Sequence, residues 1–170
     1  RSLQSVFNQT WRLLRGREQD ILMALSVFRG GFSKDAAQEV AGASLVDLVD
    51  LLDKSILHRA AKDRFEIHET LRLYAVEKLA MDPKFEAEIR GVHSDYYLNA
   101  LGFWEQELHG PRQGIVFKKM VVQIENIRTA WSWALDHDKF NQLFIALNGL
   151  CMFLTDNLQW SEGVEICNTI

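Results

Sequence analysis

Cysteine and proline are scarce in this sequence, at two residues each. Cys151 and Cys167 have neither the number nor the spacing of a zinc site or a disulfide framework. They lie in apolar helical stretches and read as reduced core residues. No apolar run approaches the roughly 18 residues that argue for a membrane span, and no signal peptide is visible. A basic excess is missing as well. Residues 1 to 80 carry 12 Lys+Arg against 11 Asp+Glu, and residues 81 to 170 carry 7 against 12, for a formal net charge of −4. Neither half has the electrostatic footprint of a nucleic-acid binder. Catalytic signatures are also absent: there is no GxxxxGK[ST] phosphate loop, no HExxH, no GxSxG elbow and no glycine-rich dinucleotide turn. The chain is therefore not expected to be an enzyme.

What is present is hydrophobic material, 48% of the 170 residues, enough for one mid-sized domain or two small ones with real cores. A cytoplasmic location is the expectation. The sequence opens at Arg1 without a methionine and ends at Ile170 inside a helical pattern, so a piece of a longer polypeptide is expected.

Local patterning gives residues 1–81 the order helix, helix, helix, helix, strand, strand, helix. Helices are expected over Leu3 to Leu14, Arg17 to Phe28, and from a Ser33 cap to about Ala41. Ser44-Leu-Val-Asp47 is a capping box, after which Leu45, Leu48, Val49 and Leu52 form a stripe expected to face the core. Ser55 to Arg59 and Arg64 to Ile67 flank Ala-Ala-Lys-Asp as a hairpin, and a helix from Glu69 to about Ala80 follows. A three-helix core followed by a hairpin is a winged-helix pattern. Met81-Asp-Pro83-Lys reads as a junction, because proline biases Asp82 away from helical geometry.

From residue 84 to 170 the strand signals vanish. Phe85, Ile89, Val92, Tyr96, Leu101, Trp104 and Leu108 mark one helix, ended by Gly110-Pro111. Phe117, Met120, Ile124, Ile127, Trp131 and Ala134 mark a second, and Phe140, Leu143, Leu147, Leu150 and Leu154 a third. A last helix begins near Trp160. Short connections predict antiparallel neighbours and a superhelix. The final pair resembles a degenerate tetratricopeptide (TPR) unit, with Gly163 as its small position and Cys151 where glycine is preferred. The expected architecture is thus mainly α: a winged-helix domain over 1–81 with a small hairpin, then a TPR-like domain over 84–170.

Two binding readings come from this arrangement. In a DNA-binding winged helix, the helix Leu45 to Asp53 would enter the groove, but Asp47, Asp50 and Asp53 are expected on its outward face and would be repelled by phosphate. Direct DNA binding is therefore not expected. A helical scaffold would take a peptide or ligand on residues 85 to 170, using Trp104, Trp131, Trp133 and Trp160. His58, His93, His109 and His137 are expected to face solvent, since none has a partner one turn along a helix. His68 is different: it ends a strand and precedes a helix whose first amides are free. It either caps that helix, satisfies a buried carbonyl, or meets an anion.

The segments SLQSVFNQTWRLLRGREQDILMALSVFRGGFSKDAAQEVAG, LVDLLDKSIL and FEIHETLRLYAVEKL resemble the winged-helix segment of STAND signalling ATPases, including the NB-ARC and the LuxR- or AfsR-like bacterial regulators. The resemblance covers about residues 1 to 80. It implies an upstream P-loop domain in the same chain, with ATP or ADP bound there and no cofactor in residues 1 to 170. It further implies that His68 contacts the β-phosphate of ADP, and that the following helices sense a protein or small-molecule inducer. The family motif reads Met-His-Asp, whereas here it is Ile67-His68-Glu69. Arg72, one turn later, is expected to pair with a surface carboxylate.

Overall fold

Capping side chains and glycines cut the first half of the chain into short elements in the computed structural model, which describes residues 3–61 and 63–156. The elements are α1 (Leu3–Arg12), α2 (Gly16–Leu25), β1 (Phe32–Ser33), α3 (Lys34–Ala41), α4 (Leu45–Asp53), β2 (Leu57–Ala61), β3 (Arg64–Ile67) and α5 (Glu69–Leu79). At the start of α2 the Glu18 carboxylate accepts the Arg15 amide at 2.8 Å and also pairs with Lys54, while itself buried. Ser33 caps α3 through the Ala36 amide, and Gly42 ends that helix at φ 61°. At α4 the Ser44 hydroxyl accepts the Asp47 amide while the Asp47 carboxylate accepts the Ser44 amide, closing the predicted box.

β1 escapes sequence reading because it is two residues long. It pairs antiparallel with β3, which also pairs antiparallel with β2, giving a three-stranded sheet of order β1-β3-β2. Phe32 lies opposite Phe65, with ring centroids 6.2 Å apart. The β2–β3 register sets His58 opposite Glu66 and contains an irregularity between Arg59 and Ala61, and Asp63 turns the hairpin at φ 62°. Leu22, Leu25, Leu48, Leu51, Ile56 and Leu79 are fully buried, each contributing about 1.5–3 kcal/mol of transfer free energy.

Two expectations about α4 are corrected. Leu48 and Leu51 are buried, but Leu45 and Val49 are exposed, as is Val46 at 69%. Asp47 does not face outward: Arg17 donates to both of its oxygens, at 3.1 and 2.9 Å, and its side chain is 13% exposed. This ion pair explains the rotation. At 3.6 residues per turn, positions 47, 48 and 51 share one side of a helix and 45, 46, 49 and 53 the other. Pinning Asp47 toward α2 therefore turns Leu45, Val46 and Val49 to solvent, with Asp53 beside them.

The remaining elements are α6 (Pro83–Leu108), α7 (Gln113–Asp136) and α8 (Phe140–Asp156). Pro83 occupies the first helical position, and the Asp82 carboxylate accepts the Phe85 amide at 3.1 Å, so the junction is a capped helix start. The chain divides into two compact units between His93 and Ser94, inside α6. In the second unit the Ser94 hydroxyl donates to Ala130 O at 2.7 Å and Tyr97 to Gln123 at 3.1 Å, pairs whose order makes α6 and α7 antiparallel. Of the expected α7 stripe, Met120, Ile127, Trp131 and Ala134 are buried, whereas Phe117 and Ile124 are half-buried. A Cβ on Gly149 would lie 2.5 Å from Leu101 O, so α8 approaches the α6 backbone there as only glycine permits. The expected helix from Trp160, with Gly163 and Cys167, lies outside the described residues. Among the described residues, no helix is long and apolar enough to cross a membrane.

Candidate functional site

A cavity of about 320 Å³ opens in the first unit where the α2–β1 turn, the hairpin and the start of α5 meet. Leu25, Phe28, Phe32 and Ile67 give it an apolar wall, and His58, Glu66, His68, Glu69 and Arg72 supply polar groups. Gly30 and Gly31, at φ 70° and 86°, carry the chain around its edge. A Cβ on Gly31 would stand 2.7 Å from Glu66 Cγ and 3.0 Å from Phe65 O, so this glycine lets the Glu66 side chain lie against the turn.

Glu66 Oε2 is 3.3 Å from His58 Nε2, directly across the β2–β3 ladder. The other nitrogen of that ring, Nδ1, is buried and has no hydrogen-bond partner among the described residues. The His58 ring in turn stacks on His68, with centroids 4.7 Å apart and planes 28° from parallel. His68 sits at the N-cap of α5 with φ −56° and ψ 130°, and its side chain makes no capping bond. The ring is exposed. Its backbone carbonyl starts the helix, accepting the amides of Leu71 and Arg72 at 2.9 Å each.

Arg72 completes the site. Nε and Nη2 donate to the two oxygens of Glu69 at 2.7 Å, and Nη1 donates to Ser26 O at 2.9 Å. The expected pairing with a surface carboxylate is thus present, but the guanidinium is itself buried, at 5% exposure. It meets a carbonyl left free at the end of α2, where positive charge suits the helix dipole. The Arg72 bonds hold the Glu69 carboxyl below its ordinary range, and Arg29, 3.8 Å away, adds to that effect.

The expectation of solvent-facing histidines is corrected at two positions. His93 is 2% exposed and edge-on to Phe28 at 5.1 Å, because this turn of α6 faces the first unit's core. His58 is half-buried beneath His68 and beside Glu66. His109 and His137 are exposed, the latter stacked on Trp133 at 4.0 Å. Trp131 is core at 4% exposure, and Trp104 is half-buried. Trp160 lies outside the described residues. Cys151, expected in the core, is half-buried, and Cys167 lies outside the described residues.

The residues that gather around His68 were only partly foreseeable. The Glu69–Arg72 spacing is legible as an i,i+3 pair, and the His58–Glu66 pair follows once the hairpin register is known. The approach of Arg72 to Ser26 and of Gly31 to Glu66 has no local signal. Among the described residues, no group of three or more His, Cys, Asp or Glu side chains is placed to hold a metal ion. No family model, curated protein or solved structure matches the chain.

Proposed function

We propose that the chain is the regulatory and sensor segment of an ATP- and ADP-dependent signalling or transcription regulator of the STAND type. In this reading, residues 1–81 are a winged helix that folds over a nucleotide held by an upstream P-loop domain of the same polypeptide. The TPR-like residues 84–170 receive an inducer, and any hydrolysis belongs to the upstream domain. The observation that carries the reading is the exposed His68 ring at the β3–α5 corner, which neither caps α5 nor lies in the core. The resemblance of residues 1 to 80 to that family supplies the identity of the ligand.

The chemistry is a tether. His68 donates a proton to a phosphate oxygen, next to the first amides of α5, where negative charge is favoured. One charge-assisted bond of this kind contributes about 1.5–3 kcal/mol, which shifts a two-state equilibrium about tenfold or more. Exchange of ADP for ATP releases the tether and lets the winged helix move. A DNA-binding role has less support, because the outer face of α4 carries Leu45, Val46, Val49 and Asp53 and no cation to neutralise phosphate.

The test is ADP dissociation from the full-length parent, followed with a fluorescent nucleotide. His68→Ala is expected to speed release about tenfold and to raise basal output. Unchanged retention refutes the tether.

A further inference from the structure

Arg72 and its two partners are held unequally. The Ser26 carbonyl is fixed in the backbone at the end of α2 and is buried. The Glu69 side chain is 63% exposed, hangs from the first turn of α5 and borders the cavity, where Arg29 also approaches it. A planar fork of two N–H donors matches a phosphate as well as it matches a carboxylate. An exposed glutamate can rotate into water with little loss of packing. The buried guanidinium cannot follow it, and would be left uncompensated unless another anion took the vacated place.

We infer that Glu69 is an internal placeholder in an oxyanion site made by Arg72, Arg29 and His68, and that a phosphate-class dianion binds there by displacing the Glu69 carboxylate. The choice of phosphate over a carboxylate ligand rests on the function proposed above; the displacement itself rests on the geometry. Glu66, which also lines the cavity, is already paired with His58 across the β2–β3 ladder. The apolar wall of Leu25, Phe28 and Ile67 offers no competing polar contact. Affinity is then set by competition with a carboxylate tethered one helical turn from Arg72, whose effective concentration is on the order of millimolar or higher. The side chain at 69 thereby tunes how firmly the phosphate is held.

The probe is pyrophosphate, titrated into the 170-residue chain at constant ionic strength and followed through the Arg72 Nε–H resonance. Glu69→Gln, which keeps one oxygen for Arg72, is expected to bind pyrophosphate about tenfold more tightly than the unsubstituted chain. Arg29→Ala is expected to bind it more weakly, and acetate is expected not to compete. Equal or weaker binding by Glu69→Gln overturns the placeholder, and acetate as effective as pyrophosphate overturns the phosphate assignment. If Glu69→Gln is less stable, the rise in urea midpoint on adding pyrophosphate reads the same competition: a larger rise in the variant supports it, and an equal rise refutes it. Tighter pyrophosphate binding by Glu69→Gln together with unchanged ADP retention in His68→Ala keeps the placeholder and removes the tether. The reverse pattern keeps the tether and removes the placeholder.

Discussion

Gly31 shows how much of the site depends on one missing side chain. Its φ of 86° and the 2.7 Å approach that a Cβ would make to Glu66 Cγ both disfavour any other residue. Gly31→Ala is expected to cost about 1–3 kcal/mol through backbone strain and the clash together. It is also expected to push Glu66 off His58, so the urea midpoint falls and the His58 ring resonances shift. A shift at His58 without loss of stability would show that the glycine serves only the ring pair. A Gly-Gly pair is visible in the sequence as a helix stop, but the residues that pack against it, Phe65 and Glu66, lie far along the chain in β3. For that reason its second role was not legible. His68 itself was: a strand-type run ending in histidine before a helical pattern places that residue at a corner in any fold that honours both periods.

At the scale of elements, α4 separates what spacing decides from what packing decides. The apolar residues of LVDLVDLLD fall on more than one side of the helix, so two different faces satisfy the amphipathic pattern. The Arg17–Asp47 ion pair and the Ser44 box select the face bearing Leu48 and Leu51. Leu48→Ala is therefore expected to destabilise the chain by about 2–5 kcal/mol. Val46→Lys is expected to change stability by no more than about 0.5 kcal/mol. Urea unfolding of the two variants distinguishes this face from the stripe expected from sequence, on which Leu45 and Val49 are core. The longer helices were more legible. In α7 four of the six expected stripe residues, Met120, Ile127, Trp131 and Ala134, are buried and the other two, Phe117 and Ile124, are half-buried, because a long helix repeats its pattern often enough to fix its face.

For the whole molecule, stability toward acid follows from three carboxylates held below their ordinary values. Lys54 and the Arg15 amide lower Glu18, Arg17 lowers Asp47, and Arg72 lowers Glu69. A carboxyl whose folded-state value is depressed stabilises the fold above its unfolded value of about 4, and loses that contribution as pH falls through the folded value. The urea midpoint is accordingly expected to hold steady from neutral pH down to about pH 5 and to fall below about pH 4. In Glu18→Gln the midpoint is expected to start lower and to fall less on acidification, as circular dichroism at each pH would show. By itself the sequence determined the helical class, the Ser44 capping box, the hairpin and the placing of His68 at a corner, because these depend on residues within a few positions of one another. Only the tertiary structure decided that β1 closes the sheet, which side of α4 is buried, and that Gly31, His58, Glu69 and Arg72 surround one cavity. Those facts depend on approaches between residues dozens of positions apart, where packing and ion pairs choose among arrangements that local propensity leaves equal.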